Sequence, residues 1–544
     1  MVTASRGSTA TTAGAAASAS AGRAIAASAT SAGSVAALPT TATVAVIGAG
    51  TMGAGIAQIA ALAGHPVQLH DARFGAADAA KKALAATFDK LVGRAKLTRE
   101  RADAALARIV TVGTLADACV ATLVVEAIVE DLPAKRALFA QLEPLVDADA
   151  ILASNTSSLS ITALAQGSAR PGRIVGMHFF NPVPLMPLVE VVSGLATDPA
   201  VAATIAATAA GWGKTPVHAA STPGFIVNRC ARPYYGEALR LLGERAADAA
   251  TLDAVLREAG GFRMGPCELM DLIGHDINFA VTRSVWEAYF HDPRFTPSVA
   301  QGELVAAGFL GRKSGRGFHD YADGAPSPSP STEAPAPRPA RVVVHGDLGV
   351  AAAVADRLAA AGIGVERTGP DSRFPGGSFG VGEARLVPSD GRTATAIALA
   401  AGAPNVVAFD LALDYAIATR LAVACADTCS ATACAAAVGA LQAAGFAVSR
   451  LDDTPGLVVL RTVAMLANEA ADAVQQGVAT PAAVDLAMTL GVSYPRGPLE
   501  WADALGPARI AAVLRHLADH YGEDRYRTAP LLARRAATGG KLHG

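Results

Sequence analysis

His178 and Glu190 are the residues of this sequence whose types and spacing best suit proton transfer. His178 lies at the end of a predicted strand, 174–179, and Glu190 lies in the next predicted strand, 188–192. A lone imidazole at such a place is more often a structural hydrogen-bonding group than a base. A carboxylate on an adjacent strand, however, would fix the imidazole tautomer and favour proton uptake. The pair therefore predicts a general base.

A glycine-rich turn, Gly48-Ala-Gly50-Thr-Met-Gly53, follows a short β-rich run and opens a helical stretch. Gly48 allows a tight turn, Gly50 lets the backbone approach a pyrophosphate, and Gly53 lets the helix pack closely on the strand. Asp71 follows Gly48 by 23 residues, where its carboxylate would accept hydrogen bonds from an adenosine ribose. Its charge would repel a 2′-phosphate, so the pattern favours NAD over NADP, while Arg73 leaves NADP open.

Ser157 and Asn228 form a polar set with the His178/Glu190 pair. Ser157, within Ser154-Asn-Thr-Ser-Ser158, follows another predicted strand and could donate to a substrate oxygen or to the nicotinamide amide. The same Ser/Thr cluster also suits capping of a helix N-terminus. Asn228 lies beyond the predicted strands, in the first segment of helical character.

The elements that must position these residues are strands alternating with helices. Short β-like runs alternate with helical patterns from residue 43 to residue 192. This alternation predicts a doubly wound, mostly parallel sheet of the Rossmann type, which collects ligands at the carboxyl ends of its strands. From residue 223 the pattern changes to long helical segments rich in Ala, Leu, Arg and Glu. An all-α domain is therefore expected to follow the sheet.

The helical segment occurs twice. Thr222-Pro-Gly224 recurs as Thr454-Pro-Gly456, and the same offset of 232 residues carries Arg229 to Arg461. The same residue also stands 232 positions later, without any gap, for Glu237, Asp253, Gly265-Pro266, Glu268, Asp271 and Gly274. So many matches without a gap predict that the unit of one αβ domain and one helical domain is duplicated, with a degenerate second copy.

Six segments follow from these patterns. The tail is rich in Ala, Ser, Thr and Gly; its acid-poor composition resembles a transit peptide, but no amphipathic period supports targeting, and disorder is expected. The predicted segments are the disordered tail over 1–41, an NAD-binding Rossmann domain over 42–222, a helical domain over 223–321, a Pro/Ser-rich linker over 322–340, a degenerate Rossmann-like domain over 341–452, and a second helical domain over 453–544.

The composition excludes several classes of protein. Hydrophobic residues form 51% and charged residues 17% of the 544, enough apolar material for several cores. No stretch has the Leu/Ile/Phe density of a membrane span, and a net charge of -2 without a dense basic block argues against nucleic acid as a partner. The six Cys residues show neither C-x-x-C pairs nor a zinc-like spacing, which predicts no metal site and a reducing, cytoplasmic compartment.

A series of motifs resembles that of the L-3-hydroxyacyl-CoA dehydrogenase family. The motifs occur in family order over roughly residues 42–321, and together they are very specific. They are Val124-Val-Glu-Ala-Ile-Val-Glu130, Ser154-Asn-Thr-Ser-Ser-Leu159, His178-Phe-Phe-Asn-Pro-Val-Pro184, Thr222-Pro-Gly-Phe-Ile-Val-Asn-Arg229, Met264-Gly-Pro-Cys-Glu-Leu269 and Gly311-Arg-Lys-Ser-Gly-Arg-Gly-Phe318.

The resemblance implies a mechanism and assigns roles. His178 would take the proton from the 3-hydroxyl while C3 passes a hydride to C4 of the nicotinamide, and Glu190 would orient His178 and stabilise its charged form. Ser157 and Asn228 would position the acyl oxygens, so the site would close only where sheet and helical domain meet. The other nicotinamide-side contacts of the family fall on Glu130, Lys135, Asn181 and Lys313.

The second half departs from the family pattern. Its first strand ends in Gly346-Asp-Leu-Gly349, without the G-x-G-x-x-G spacing, and no counterpart of the His178/Glu190 pair is evident. The offset of 232 maps Asn228 onto Leu460. We therefore expect this half to be catalytically dead. Short members of the family pair through their helical domains, so the resemblance implies either a homodimer or an intramolecular pseudo-dimer of the helical domains.

The expected function is NAD-dependent oxidation of an (S)-3-hydroxyacyl-CoA to the 3-oxoacyl-CoA. A two-copy chain of this length looks most like members that act on 3-hydroxyadipyl-CoA in phenylacetate breakdown. The alternative is a 3-hydroxybutyryl-CoA dehydrogenase of butyrate or polyhydroxybutyrate metabolism. From another class, the chain could be a catalytically silent NAD-binding structural protein; a third reading is a β-hydroxyacid dehydrogenase with a catalytic Lys.

Overall fold

A computed structural model describes residues 36–544 of the chain. Residues 1–35 of the tail predicted over 1–41 lie outside the described residues. The remainder of that segment is packed, because the backbone N–H of Leu38 donates to Thr208 Oγ1 at 3.0 Å and its side chain contacts the core of the first sheet. The prediction of disorder up to residue 41 is therefore wrong for its last residues, since an apolar side chain fixes them.

The first sheet contains eight strands in the order β3-β2-β1-β4-β5-β6-β7-β8, and the predicted doubly wound fold is confirmed. All neighbours are parallel except β6 and β7. The strands are β1 (Val44–Ile47), β2 (Val67–His70), β3 (Ile109–Thr111), β4 (Leu123–Glu126), β5 (Ile151–Ser154), β6 (Ile174–Phe179), β7 (Leu188–Ser193) and β8 (Thr215–Ala220). The helices are α1 (Thr51–Leu62), α2 (Ala76–Gly93), α3 (Arg99–Arg108), α4 (Leu115–Ala118), α5 (Leu132–Leu142), α6 (Ile161–Leu164) and α7 (Pro199–Gly211).

The strand order places the site. Strands β1 and β4 are neighbours although β2 and β3 lie between them in sequence, so the strand order reverses at this point. In open α/β sheets the crevice beyond the carboxyl ends at such a reversal is where ligands bind. The β1 run is buried at all four positions, as expected for a strand covered on both faces.

The first helical domain follows β8 directly. It contains α8 (Val227–Cys230), α9 (Arg232–Gly243), α10 (Ala249–Glu258), α11 (Pro266–Ile273), α12 (His275–Ala288) and α13 (Val299–Ala306). Asp253 accepts the backbone N–H of Cys267 at 2.8 Å and so caps α11. Because α8 is short and begins at the sheet edge, it brings the start of this domain against β7.

The second sheet is a reduced version of the first. Its seven strands run in the order β10-β9-β11-β12-β13-β14-β15, and β11 is antiparallel to both neighbours. A two-residue turn joins β11 to β12, so no crossover helix connects them within this described sheet. The elements are β9 (Arg341–His345), α14 (Ala352–Ala360), β10 (Gly364–Thr368), β11 (Ser378–Val381), β12 (Ala384–Pro388), α15 (Ala394–Ala401), β13 (Val406–Phe409), β14 (Arg420–Cys425), α16 (Ala431–Ala443) and β15 (Ala447–Leu451).

The second helical domain repeats the capping of the first. It contains α17 (Val459–Gln475), α18 (Pro481–Gly491), α19 (Pro498–Leu505), α20 (Pro507–Tyr521) and α21 (Pro530–Thr538). Asp485 accepts the backbone N–H of Leu499 at 2.9 Å, as Asp253 does for Cys267 in the first copy. The Pro/Ser-rich segment before the second sheet lies along that sheet, with the N–H of Glu333 donating to the Val448 carbonyl at 2.8 Å.

Reciprocal contacts join the two copies. Arg229 in the first copy pairs with Glu469 in the second at 2.6 Å, and Arg461 in the second pairs with Glu237 in the first at 3.1 Å. The four side chains are buried, each at most 2% exposed. The offset of 232 converts one pair into the other, so the helical domains are related by a pseudo-twofold exchange of partners.

The backbone follows the same exchange. The N–H of Ala220, at the end of β8, donates to the carbonyl of Val478 at 2.8 Å. The N–H of Asp452 donates to the carbonyl of Ala246 at 3.1 Å, which is the same contact with the copies reversed. A continuous hydrophobic core runs through both helical domains and the second sheet, with Leu241 and Leu460 among its members.

Two further features concern residues 36–544 as a whole. Within that range no helix is long and apolar enough to cross a membrane. Over the same residues, His, Cys, Asp and Glu side chains form no group of three or more that could hold a metal ion.

Candidate active site

His178 and Glu190 meet across the β6–β7 ladder. The two strands are antiparallel and their register sets His178 directly opposite Glu190. Nδ1 of His178 lies 2.6 Å from Oε2 of Glu190, and both side chains are buried. The Phe180 ring packs against the imidazole with 4.5 Å between centroids. Because the carboxylate holds Nδ1 as the donor, Nε2 is left as the nitrogen that can accept a proton.

The second oxygen of Glu190 is bound by the helical domain. Oε1 accepts the backbone N–H groups of Ile226 and Val227, each at 3.0 Å. These N–H groups lie at the start of α8, on the residue before it and on its first residue, where they have no intrahelical partner. Glu190 thus links the base in the sheet to the helical domain. This contact could not be predicted from the sequence, because it depends on two main-chain groups.

Ser157 and Asn228 also come together at the domain boundary. The side-chain amide of Asn228 donates to the backbone carbonyl of Ser157 at 3.2 Å. Asn228 follows Val227 directly, so one short stretch of chain both binds Glu190 and supplies the amide. The four residues predicted to do chemistry therefore meet where the sheet and the first helical domain join.

Glu130 organises the loop that carries Ser157. Its Oε1 accepts the hydroxyl of Thr156 at 2.7 Å and the backbone N–H of Ser157 at 2.8 Å. Burial favours a raised pKa for Glu130, but the nearby Lys135 ammonium and these hydrogen bonds outweigh it and lower the pKa. Glu130 is therefore ionised at neutral pH and binds the Ser/Thr loop as a carboxylate.

Lys135 is enclosed beneath this loop. Its ammonium lies 2.6 Å from Glu126 and 3.3 Å from Glu130, and the side chain is 1% exposed. Direct contact with a cofactor, as the resemblance implied, does not fit this burial. We propose instead that Lys135 positions Glu130. Glu126, the last residue of β4, belongs to the motif that ends at Glu130, but it was not predicted as a site residue.

The other two predicted cofactor contacts, Asn181 and Lys313, are not buried. Asn181 is exposed and follows β6 by two residues. Lys313 belongs to the helical domain, where its ammonium pairs with Asp276 at 2.7 Å and remains partly exposed. Both side chains are therefore accessible from solvent, and their contact with a cofactor stays a prediction.

The glycine-rich turn has the shape that a dinucleotide requires. Gly48 has a φ of +104°, and a Cβ on it would lie 2.5 Å from the carbonyl oxygen of Ala127. A Cβ on Gly53 would lie 1.7 Å from the carbonyl oxygen of Gly48, so neither position accepts a side chain. No atom lies within 4 Å of the Cβ position of Gly50 among the described residues, which leaves room for a pyrophosphate at the start of α1.

Asp71 stands at the carboxyl end of β2, beside this turn. Oδ2 accepts the backbone N–H of Ala49 at 2.8 Å, and Oδ1 accepts from Nε of Arg73 at 3.0 Å. The Arg73 hydrogen bonds lower the pKa of Asp71 to about 2 against the opposing effect of burial. A charged carboxylate here suits the ribose hydroxyls of NAD and opposes a 2′-phosphate. The residues present fit NAD.

Replacing Asp71 with serine is expected to reduce the preference for NAD over NADP by about 100-fold, because the like charge opposite the 2′-phosphate is removed. The substitution also frees Arg73, which Asp71 now binds. The ratio of kcat/KM for NAD and NADP measures the effect. The double variant Asp71→Ser, Arg73→Ala is the control and should lose the part of the gain toward NADP that the freed Arg73 supplies. An unchanged ratio in Asp71→Ser would refute the assignment of Asp71.

The second copy has lost this chemistry at matching positions. The offset of 232 carries His178 to Asp410 and Glu190 to Ala422. Asp410 accepts the backbone N–H groups of Val459 and Leu460 at 2.7 and 3.0 Å. A single aspartate thus binds the helix start that Glu190 binds in the first copy. Burial raises the pKa of Asp410 to about 6.

The family models match both halves of the chain. The model described as "3-hydroxyacyl-CoA dehydrogenase, NAD binding domain" matches residues 43–222. The model of the C-terminal domain of 3-hydroxyacyl-CoA dehydrogenase matches residues 224–321 and again 456–542. A model described as "3-hydroxybutyryl-CoA dehydrogenase reduced Rossmann-fold domain" matches residues 386–455.

Individual relatives resemble one or both copies. The 3-hydroxyadipyl-CoA dehydrogenase of Escherichia coli K12 is 44% identical over 492 residues, which are 90% of this chain and 96% of that protein. A crystal structure of 3-hydroxybutyryl-CoA dehydrogenase from E. coli K12 has a TM-score of 0.83 and 42% identity, covering 92% of this chain and 99% of that one. The mitochondrial hydroxyacyl-coenzyme A dehydrogenase of Sus scrofa is 41% identical over 51% of this chain and 90% of its own.

Proposed function

The chain belongs to the 3-hydroxyacyl-CoA dehydrogenase family, and on that premise we propose that it oxidises 3-hydroxyadipyl-CoA to 3-oxoadipyl-CoA with NAD. The hydrogen-bonded set of Ser157, His178, Glu190 and Asn228 is the observation that carries the reaction type. The substrate follows from the E. coli relative that is similar over both copies. We place the reaction in the degradation of phenylacetate and in the cytoplasm, where all six cysteines stay free.

His178 acts as the general base of the oxidation. Nε2 takes the proton of the C3 hydroxyl, and the imidazolium that forms is stabilised by Glu190 at 2.6 Å. Glu190 is itself held by two N–H groups, so it keeps its orientation as the charge on His178 changes. NAD, when bound, accepts the hydride that leaves C3. Its contacts would be the turn at Gly48–Gly53 and Asp71.

Ser157 and Asn228 orient the acyl part of the substrate. Ser157 is held by Glu130, and Asn228 lies within hydrogen-bond reach of the Ser157 main chain. We assign the Ser157 hydroxyl and the Asn228 amide to the C3 and thioester oxygens, which fixes C3 against the nicotinamide. The site needs both domains, because Asn228 and the N–H groups that hold Glu190 come from the helical domain.

The second copy, in our proposal, takes the place of a dimer partner. The exchanged Arg229–Glu469 and Arg461–Glu237 pairs make the interface reciprocal, as in a twofold dimer. Arg229, which pairs with Glu469 of the second copy, directly follows Asn228. The second copy therefore helps to hold the catalytic amide in place.

The acyl specificity is tested with a panel of substrates. We measure kcat/KM with NAD for 3-hydroxyadipyl-CoA, 3-hydroxyhexanoyl-CoA and 3-hydroxybutyryl-CoA. The proposal predicts the highest value for the adipyl thioester. A higher value for the butyryl thioester would support the alternative, a 3-hydroxybutyryl-CoA dehydrogenase, as the crystal structure related to this chain is called. No turnover of any thioester would indicate a silent NAD-binding protein.

A further inference from the structure

Arg232 is a buried cation without a carboxylate partner among residues 36–544. Its side chain is enclosed between α9 and α12, and the residue is 7% exposed. Nε donates to the carbonyl of Asn228 at 2.8 Å, and Nη1 donates to the hydroxyl of Thr282 at 3.0 Å. The guanidinium lies over the ring of Tyr235, 4.9 Å from its centroid. These partners are neutral, so the positive charge is hydrogen-bonded but not compensated.

A buried charge of this kind requires an explanation. Taking a cation out of water is costly unless an opposite charge or a ligand accompanies it. Burial lowers the pKa of Arg232 against the opposing effect of the Tyr235 and Tyr494 phenols. The guanidinium still carries its charge at neutral pH, because arginine is protonated far above that range.

Arg232 lines a cavity of about 320 Å³. Its Nη2 has no hydrogen-bond partner among the described residues and is not one of their fully enclosed unpaired atoms. Three other arginines line the same cavity, and each pairs with a carboxylate: Arg240 with Glu523, Arg294 with Asp472 and Arg525 with Glu237. Glu523, a carboxylate that lines the cavity, is bound by Arg240 through both of its oxygens. Arg232 is therefore the lining arginine, among the described residues, whose charge has no carboxylate partner, and its Nη2 is free to bind a ligand.

The second copy shows that packing does not require this arginine. The offset of 232 carries Arg232 to Ala464, which is fully buried in α17. The same offset replaces the catalytic amide of Asn228 with Leu460. The copy that lost its active site thus lost the arginine as well, while it kept the buried Arg461 that holds the interface.

We propose that Arg232 determines specificity by binding the terminal carboxylate of a dicarboxylic 3-hydroxyacyl chain. This inference rests on the proposed function, because it needs the acyl chain at Asn228. Arg232 follows Asn228 by four residues, about 6 Å along a nearly continuous helix. In a six-carbon dicarboxylic chain, three carbon–carbon bonds of about 1.5 Å separate C3 from the terminal carboxyl carbon. Extended, these three bonds span about 4 Å. The Arg232 side chain already reaches back to the main chain of Asn228, where Nε donates to the carbonyl at 2.8 Å, so a chain held at Asn228 can reach the guanidinium.

A neutral substitution of similar length, Arg232→Met, tests the assignment with two substrates of equal chain length. 3-Hydroxyadipyl-CoA carries the terminal carboxylate, and 3-hydroxyhexanoyl-CoA has a methyl group there. We expect Arg232→Met to lower kcat/KM for the adipyl thioester by about 100-fold, as for the loss of one partner of a buried charge pair. The effect on the hexanoyl thioester should be much smaller, so the ratio of the two values collapses.

Two further variants complete the experiment. Arg232→Lys keeps the charge and should retain part of the adipyl preference, whereas Arg240→Gln removes a paired arginine of the same cavity and should leave the ratio unchanged. Equal losses on both thioesters in Arg232→Met would overturn the inference while leaving the proposed function intact. A wild-type enzyme that turns over hexanoyl but not adipyl thioester would instead contradict the proposed substrate. If Arg232→Met fails to fold, Arg232→Gln decides, because it removes the charge and keeps hydrogen-bonding groups: a ratio equal to wild type in that variant counts against the proposal.

Discussion

Replacing His178 with glutamine is expected to lower kcat for oxidation of the 3-hydroxyacyl-CoA by at least ~100-fold, because general-base catalysis typically contributes that much or more. The Nε2 atom of His178 is the basic nitrogen left free by Glu190 in the buried pair. Glutamine can still donate a hydrogen bond to Glu190, so the carboxylate keeps a partner. The loss is measured as NADH formation at saturating substrate.

Binding of NADH is the control for His178→Gln. The glycine-rich turn and Asp71 lie on other strand ends, so the affinity for NADH should not change. Unchanged kcat in the variant would contradict the role of His178. That result would favour a dehydrogenase of the type that uses a catalytic lysine.

Replacing Glu469 with glutamine is expected to destabilise the chain by about 3–5 kcal/mol, because Arg229 loses the charge of its nearest carboxylate in a buried site. The 2.6 Å pair joins the two copies, and both side chains are at most 2% exposed. The shift of the urea midpoint measures the loss. Since the interface is reciprocal, Glu237→Gln should give a shift of similar size through Arg461.

An exposed ion pair provides the matched control for this interface. Glu366 lies 3.3 Å from Arg341, with 54% and 72% of the two side chains exposed. Glu366→Gln should cost less than about 1 kcal/mol, because solvent screens such a pair. If Glu469→Gln unfolds at the same midpoint as this control, the exchanged pairs do not hold the two copies together.

The parts of the fold that depend on local pattern could be predicted from the sequence. The β-rich runs ending at Glu126 and Ser154 match β4 and β5, because a buried parallel strand needs a continuous apolar run. Strand β8 was not predicted, since its sequence Thr-Pro-Val-His-Ala-Ala lacks such a run. The hairpin from β11 to β12 was not predicted either, because it stands where the pattern of the first copy would predict a helix.

The predicted site residues lie in recognisable motifs, whereas the groups that hold them in place do not. His178 and Glu190 lie in recognisable segments at strand positions, so adjacent strands were enough to pair them. The N–H groups that hold Glu190 are main-chain atoms and carry no sequence signal. Arg232 resembled any other helix arginine until its burial and its neutral partners were known. Such contacts are decided by which distant segments meet.

The repeat is informative beyond its recognisable helical part. Its offset of 232 also carries His178 to Asp410, although nothing in the local sequence marks Asp410 as a counterpart. The structure shows why the exchange is tolerated: the aspartate reaches the N–H groups at the start of α17 directly. The second copy thus keeps the contact between its sheet and its helical domain, but it has no counterpart of the His178 imidazole at this position.

We propose that the chain has one active site, built by the first copy and supported by the second. Fluorescence titration of the full chain with NADH tests it most directly, with acetoacetyl-CoA turnover measured on the same sample. We expect one NADH bound per chain of 544 residues together with full activity. Two equivalent NADH sites per chain would contradict it.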